Sequence, residues 1–158
     1  MGTAEAVIRW ATPRDVSGLM AGVTALFAED AGTHDPLRNA RWPAQHGEKW
    51  CRELLAERNA LVLVADAEGQ VVGHLVGTYA AASELWLGAR AVLVNMYVAP
   101  EWRAGGVGSR LVEEFTAWAR RRGAARLFVE AYAANEGAVR FYRRNGFVPM
   151  STMLAADL

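Results

Sequence analysis

The stretch Val98-Ala99-Pro100-Glu101-Trp102-Arg103-Ala104-Gly105-Gly106-Val107-Gly108-Ser109 decides the fold. Upstream, Arg90 to Val98 is a nearly continuous apolar run, the pattern of a strand at a sheet centre, and Pro100 ends it. Downstream, Val107, Leu111, Val112, Phe115, Trp118 and Ala119 recur at helical spacing, with Glu113, Arg120 and Arg121 off the stripe. The pattern predicts a helix from Gly106 to Arg122, with Gly123 where a helix stop belongs. A buried strand therefore runs through a glycine turn directly into a helix. The first N–H groups of such a helix are unpaired and its dipole is positive there, which suits a phosphate. Glycines let the backbone approach an anion closely, and Arg103 adds a cation. A tight strand-to-helix connection with no ligand has the same look. A dinucleotide-binding turn fits less well: Glu130 has roughly the spacing of its ribose-binding acid, but Leu111 stands where the third glycine belongs. No Gly-Lys-Ser/Thr follows, so a Walker loop is excluded.

Working outward, elements of both types alternate. Val7 to Trp10 reads as a strand. Thr12-Pro13-Arg14-Asp15 reads as a helix start, with Thr12 as cap, and the helix runs to about Phe27. Glu29 to Pro43 is polar and broken by Gly32, Pro36 and Pro43, which predicts the longest loop; a second helix covers Gln45 to Glu57. Leu61 to Asp66 and Val71 to Tyr79 are strands joined by the turn Ala67-Glu68-Gly69-Gln70. Arg126 to Tyr132 is the next strand, Asn135 to Arg144 a short helix capped by Asn135 with Gly146 beyond it, and Phe147 to Leu154 a last strand. The expected fold is α+β: a mixed, mostly antiparallel sheet flanked by about four helices. The strand–helix–strand unit within 91–132 should be locally parallel.

A chain of 158 residues suits one domain, 1–158. Acidic and basic residues balance at 17 each, which gives no electrostatic footprint for nucleic acid or an anionic membrane. Cys51 is the only cysteine, so no disulfide forms within the chain, and no ligand cluster for a metal is in evidence. The opening Met1-Gly2-Thr3-Ala4-Glu5-Ala6 lacks the basic-then-apolar pattern of a signal peptide, and no apolar run is long enough to span a bilayer; a cytoplasmic location is expected. Trp86 and Leu87 are either core between strands or an exposed patch through which a homodimer forms.

A second motif lies beyond the first: Asn135-Glu136-Gly137-Ala138-Val139-Arg140-Phe141-Tyr142-Arg143-Arg144-Asn145-Gly146-Phe147. Taken alone, Asn135 is an adequate cap, and Phe141, Tyr142 and Phe147 read as core. Taken together, Arg103-x-x-Gly106-x-Gly108 resembles the acetyl-CoA pyrophosphate signature of the GNAT superfamily, and Asn135-x-x-Ala138-x-x-x-Tyr142-x-x-x-Gly146-Phe147 resembles its closing signature. Asn95-Met96-Tyr97-Val98-Ala99-Pro100 looks like that family's fourth strand and its exit.

The resemblance covers roughly residues 60–154, and residues 1–59 carry no specific motif. It implies an acyl-CoA site in a cleft between central strands, with acetyl-CoA as donor. Met96, Tyr97 and Val98 would pair with the pantetheine arm, the Val98 N–H would face the thioester oxygen, and Asn135 and Ala138 would contact or make room for the arm. Arg103, Ala104, Gly105, Gly106, Val107, Gly108 and Ser109 would hold the pyrophosphate. Tyr142 would be the general acid at the departing sulfur. The implied activity is N-acetyl transfer to a primary amine of a small molecule or a protein N-terminus. A non-catalytic acyl-CoA sensor with the same fold is the alternative.

An amine of pKa about 10.4 must lose a proton before attack. Glu130, five residues before Asn135 and twelve before Tyr142, resembles the base proposed for the superfamily's N-terminal acetyltransferases; an ion pair with an arginine is the competing role. Glu29, Asp30, His34 and Asp35 are further candidates, while His46 and His74 lack distinguishing context. The acceptor is expected near Glu29 to Asp35 with Arg38, Arg41, Trp42 and Trp50, where the mixed charge fits a cationic amine, an anionic acceptor or a plain solvated loop.

Overall fold

The computed structural model describes residues 4–158. Met1 to Thr3, on which the signal-peptide expectation partly rests, lie outside the described residues. Strands β1 (Val7–Trp10), β2 (Ala60–Ala67), β3 (Gln70–Ala80), β4 (Arg90–Val98) and β5 (Arg126–Val129) form one sheet in that spatial order. The first four are mutually antiparallel, and β5 joins β4 parallel.

Side-chain alternation along β2 shows how the sheet becomes a middle layer. Leu61, Leu63 and Ala65 point into a core with Leu111 and Phe115 of helix α4 (Val107–Arg121). Val62 and Val64 point the other way, onto Val16 and Leu19 of α1 (Val16–Leu26) and Cys51 of α3 (Glu48–Ala56). Period-two alternation with both faces apolar is what a sheet covered on both sides requires. Gly77 of β3 sits where Phe115 crosses the sheet; a Cβ there would stand 2.6 Å from the ring. No helix among the described residues is long and apolar enough to cross a membrane.

The expected helix start is present, with an ion pair added to it. Pro13–Asp15 form a 3-10 turn with Thr12 at its N-cap, and Thr12 and Asp15 make a capping box. The Asp15 carboxylate accepts the Thr12 N–H at 2.7 Å and the two terminal Arg9 guanidinium nitrogens, Nη1 and Nη2, at 2.8 and 2.9 Å. These bonds hold the Asp15 carboxyl below its usual pKa, the Arg9 contact contributing most and burial opposing it.

Four expectations are corrected. The first helix does not stop at Phe27: a π-turn, Phe27–Ala31, and a single turn α2 (Gly32–His34) carry it on, so the irregular segment is shorter than Glu29 to Pro43. Gly32, read as a break in that loop, lies inside the helical stretch. Its N–H donates to the Phe27 carbonyl, and a Cβ there would lie 3.0 Å from that oxygen, so glycine suits the wide turn. The strand expected from Arg126 to Tyr132 ends at Val129, where pairing with β4 ends. The strand expected over Phe147 to Leu154 does not form: the segment pairs with no strand among the described residues. Trp86 and Leu87 are not core: both are exposed, with the Trp86 ring edge-on to Phe128 of β5 at 5.8 Å and the Arg90 guanidinium 4.3 Å over it.

Candidate active site

The sheet is interrupted where the two sequence motifs meet. Between β3 and β4 the register jumps from Val76↔Asn95 to Gly77↔Leu93, which leaves Val94 as an unpaired extra residue. Such a bulge bends and twists its strand. On the other side, β4 pairs with β5 only from Arg90↔Arg126 to Leu93↔Val129. From Val94 to Val98, β4 therefore has no neighbour on its β5 side, and a cleft opens there. The Ala99 N–H donates to the Val72 carbonyl at 2.8 Å, toward β3. By strand alternation the Val98 N–H and C=O point the opposite way, to the open edge.

The glycine loop follows directly. Residues Pro100–Gly105 wind as 3-10 turns and Gly106 takes φ 78°, a left-handed conformation that favours glycine, before α4 begins at Val107. No side chain caps α4, so its first N–H groups are not taken up by a cap. A Cβ on Gly105 or Gly106 would meet nothing within 4 Å, so the surrounding protein leaves room over the loop. Gly108 differs: a Cβ there would lie 3.1 Å from the Phe141 ring, which makes this glycine the contact between the two motif helices. The start of α4 thus offers uncapped N–H groups beneath the open space above Gly105 and Gly106.

Helix α5 (Glu136–Arg144) brings the second motif. Asn135 caps it, its Oδ1 accepting the Ala138 N–H at 3.1 Å as the sequence predicts. Tyr142 packs edge-on between Phe141 at 5.3 Å and Phe147 at 5.7 Å. Burial raises its phenol pKa to about 12, with a smaller contribution from the nearby Asp30 carboxylate. Tyr142 is thus a hydrogen-bond donor throughout the physiological range.

What the sequence did not reveal is how the π-turn joins these parts. It presents two adjacent carboxylates to the two motifs. Glu29 Oε2 accepts Arg103 Nη2 at 2.6 Å, and Asp30 Oδ1 accepts Asn135 Nδ2 at 2.9 Å. Arg103 also donates from Nε to the Val98 carbonyl at 2.7 Å and lies 5.4 Å from the Tyr97 ring. A connected path runs from Val98 through Arg103, Glu29 and Asp30 to Asn135. His34 Nε2 stands 3.8 Å from Asp30, and its ring lies 5.4 Å from that of Tyr132. A run of acidic residues before a glycine was the only signal available, and it reads equally well as solvated loop.

The remaining candidates separate clearly. Glu130 lies just past β5, exposed, with no hydrogen bond or ion pair among the described residues, so the ion-pair role has no arginine to fill it. Trp42 stacks on Phe27 at 5.5 Å and meets Trp50 edge-on at 5.6 Å, which makes both tryptophans packing beneath the π-turn. Arg38 lies over Phe27 at 5.3 Å. His74, which had no context in the sequence, is fully buried on β3; its Nε2 bonds Asn95 Oδ1 at 2.5 Å and its Nδ1 has no partner. Burial lowers its pKa to about 4, the Asn95 bond opposing. It steadies Asn95 beside the bulge. The described residues contain no cluster of three or more metal-ligating side chains.

Known proteins agree with this geometry. Residues 25–147 match the model of the Acetyltransferase (GNAT) family, and the chain belongs to that family. An uncharacterized N-acetyltransferase, YobR of Bacillus subtilis, is 39% identical over 59 residues, covering 37% of this chain and 24% of its own. The streptothricin acetyltransferase of Streptomyces lavendulae is 33% identical over 81 residues, covering 51% of this chain and 40% of its own. The chain thus spans less than half the length of these two relatives. The aminoglycoside N-acetyltransferase AAC(6')-Iy, solved in complex with CoA, shares the fold with a TM-score of 0.75 at 14% identity, over 96% of this chain and 98% of that one.

Proposed function

We propose that the chain transfers an acetyl group from acetyl-CoA to a primary amine by direct attack in a ternary complex. The observation that carries this reading is the connected path from Val98 to Asn135, which brings the two donor motifs to one cleft. The loop Arg103 to Ser109 seats the pyrophosphate on the N–H groups at the start of α4. Met96 to Val98 offer an unpaired backbone edge to the pantetheine arm, with Asn135 and Ala138 on its far side. The Val98 N–H stabilises the oxyanion that forms when the amine adds to the thioester carbonyl.

Collapse of that intermediate breaks the carbon–sulfur bond and, as the nitrogen gives its second proton to solvent, leaves the amide. Tyr142 donates a hydrogen bond to the departing sulfur. With a pKa of about 12 against about 8.5 for a thiol, complete proton transfer from Tyr142 is uphill, so it stabilises the thiolate by hydrogen bonding and the final proton comes from solvent. Glu130 takes the ammonium proton through water. Donor and free-state partners compete: phosphate displaces Glu29 from Arg103, and the arm displaces Asp30 from Asn135. The two freed carboxylates then face a cationic acceptor. The named activities of the streptothricin relative and of the aminoglycoside-modifying neighbour favour a small polyamine over a protein N-terminus. Residues 1–158 act as one domain.

Calorimetric titration with acetyl-CoA, followed by thiol release with small polyamines and N-terminal peptides, tests this. Binding that Gly106→Trp abolishes, with turnover on an amine that Glu130→Gln and Tyr142→Phe slow, is expected. Binding without turnover on any amine would favour the sensor. No binding at all overturns the reading.

A further inference from the structure

The buried pair of His74 on β3 and Asn95 on β4 fixes the direction of a hydrogen-bond donor. Their side chains share a 2.5 Å hydrogen bond on the α1 face of the sheet. Helix α1 closes over the imidazole at Gly22, where a Cβ would stand 2.6 Å from Nδ1 and 3.5 Å from the Tyr97 ring. Nδ1 is buried there with no hydrogen-bond partner among the described residues. A bare lone pair against a helix Cα is tolerated, whereas an N–H in the same place would be a buried donor with nothing to accept it. Burial keeps the ring neutral, with a pKa of about 4, so its single proton sits on Nε2. Nε2 is then the donor, and the atom that faces it is the Asn95 oxygen. The carboxamide is thereby oriented: Oδ1 turns toward β3, and Nδ2 turns away, toward the edge of β4 that β5 leaves open. Asn95 Nδ2 has no partner among the described residues and, unlike His74 Nδ1, is not buried.

We propose that Asn95 determines acceptor specificity by presenting this N–H donor to an oxygen of the amine substrate, and that His74 is the positioning residue that holds the donor outward. The inference rests on the acetyl-transfer reading above and narrows its acceptor. Tyr97, beside His74 on the same face, lies near Arg103, whose carboxylate partner is Glu29. Asn95 therefore shares its face with the acidic π-turn. Carboxylates suit the ammonium groups of an acceptor. An N–H donor does not, because an ammonium group has no lone pair to offer. The donor selects a hydroxyl, ether or carbonyl oxygen instead. The acceptor is accordingly an amino alcohol or amino sugar, not a plain alkyl polyamine.

Diaminopropanol and diaminopropane differ by one hydroxyl and serve as the probes. With acetyl-CoA, the wild type should favour diaminopropanol in kcat/KM by about 3- to 10-fold, the range of one partly exposed hydrogen bond. Asn95→Ala and His74→Met should both lose this preference while binding acetyl-CoA as the wild type does by calorimetry. His74→Gln, which returns an N–H donor to Oδ1, should recover it. The preference is a ratio of two amines in one protein, so a loss of folded material cancels and a merely structural His74 would not move it. Equal use of the two amines, use of neither by protein that binds acetyl-CoA, or a preference that survives Asn95→Ala overturns the assignment of Asn95. Weaker acetyl-CoA binding in Asn95→Ala overturns it as well, since the donor would then serve acetyl-CoA. A preference kept in His74→Met overturns the role of His74. A wild type that binds no acetyl-CoA defeats the acetyl-transfer reading and the inference with it.

Discussion

Asn135 and Asp30 lie 105 residues apart in sequence and share a 2.9 Å hydrogen bond, so the cap of α5 is held by the π-turn of the first helix. The same carboxylate raises the Tyr142 pKa, in second place to burial. Asp30→Asn should therefore lower the Tyr142 pKa from about 12 while leaving it above about 10, since burial is the larger cause. Ultraviolet difference titration against Tyr142→Phe isolates this phenol from the other tyrosines. An unchanged titration would show that Asp30 does not act on it.

Glu29 offers a sign test. Its ion pair with Arg103 is about half exposed on both sides, a setting in which such pairs contribute about 0.2–1 kcal/mol. Glu29→Gln removes a competitor for the phosphate and should tighten acetyl-CoA by about 2- to 5-fold, whereas Arg103→Ala weakens it. Calorimetry reads both. Weaker binding in Glu29→Gln would mean that the pair positions Arg103 rather than competing for it.

Tyr142→Phe should leave acetyl-CoA affinity nearly unchanged and lower kcat by about 100-fold or more, the lower range for a positioned proton donor. The ring stays and its packing against Phe141 and Phe147 with it, so thermal stability should change little. A proportionate loss in binding would indicate a role in seating the donor instead.

His74 makes the fold acid-sensitive. Its folded pKa of about 4 lies below an unfolded value of about 6.5, so between these the unfolded state binds more protons and stability falls with falling pH. The loss is on the order of 3 kcal/mol by about pH 4, and none occurs above about pH 6.5. Denaturant unfolding at several pH values should show this slope in the wild type and a flatter one in His74→Met.

The legible and illegible parts divide along physical lines. The strand–loop–helix unit and the capped helix at Asn135 are local: periodicity, glycine and a cap residue specify them within a short window. Tyr142 and Arg103 could be picked out because their motifs are contiguous. The Glu29–Arg103 and Asp30–Asn135 contacts join positions 74 and 105 residues apart, and no local rule reports them. The π-turn that creates them is hidden because Gly32 and Pro36 carry the same signal in a loop as in a widened helix. His74 alternates with its neighbours like any strand residue; only its pairing with Asn95 across the sheet gives it a role.

The one-residue bulge at Val94 sets how this cleft can change by mutation. The donor that β4 aims into the opening is the Val98 main-chain N–H, and every substitution except proline preserves it. Deleting one residue between Leu93 and Val98 is another matter. It would close the bulge, restore continuous pairing with β3 and remove the bend and extra twist that the bulge gives β4. Side chains around the cleft are free to diverge in step with a changing acceptor, while the length of β4 is not.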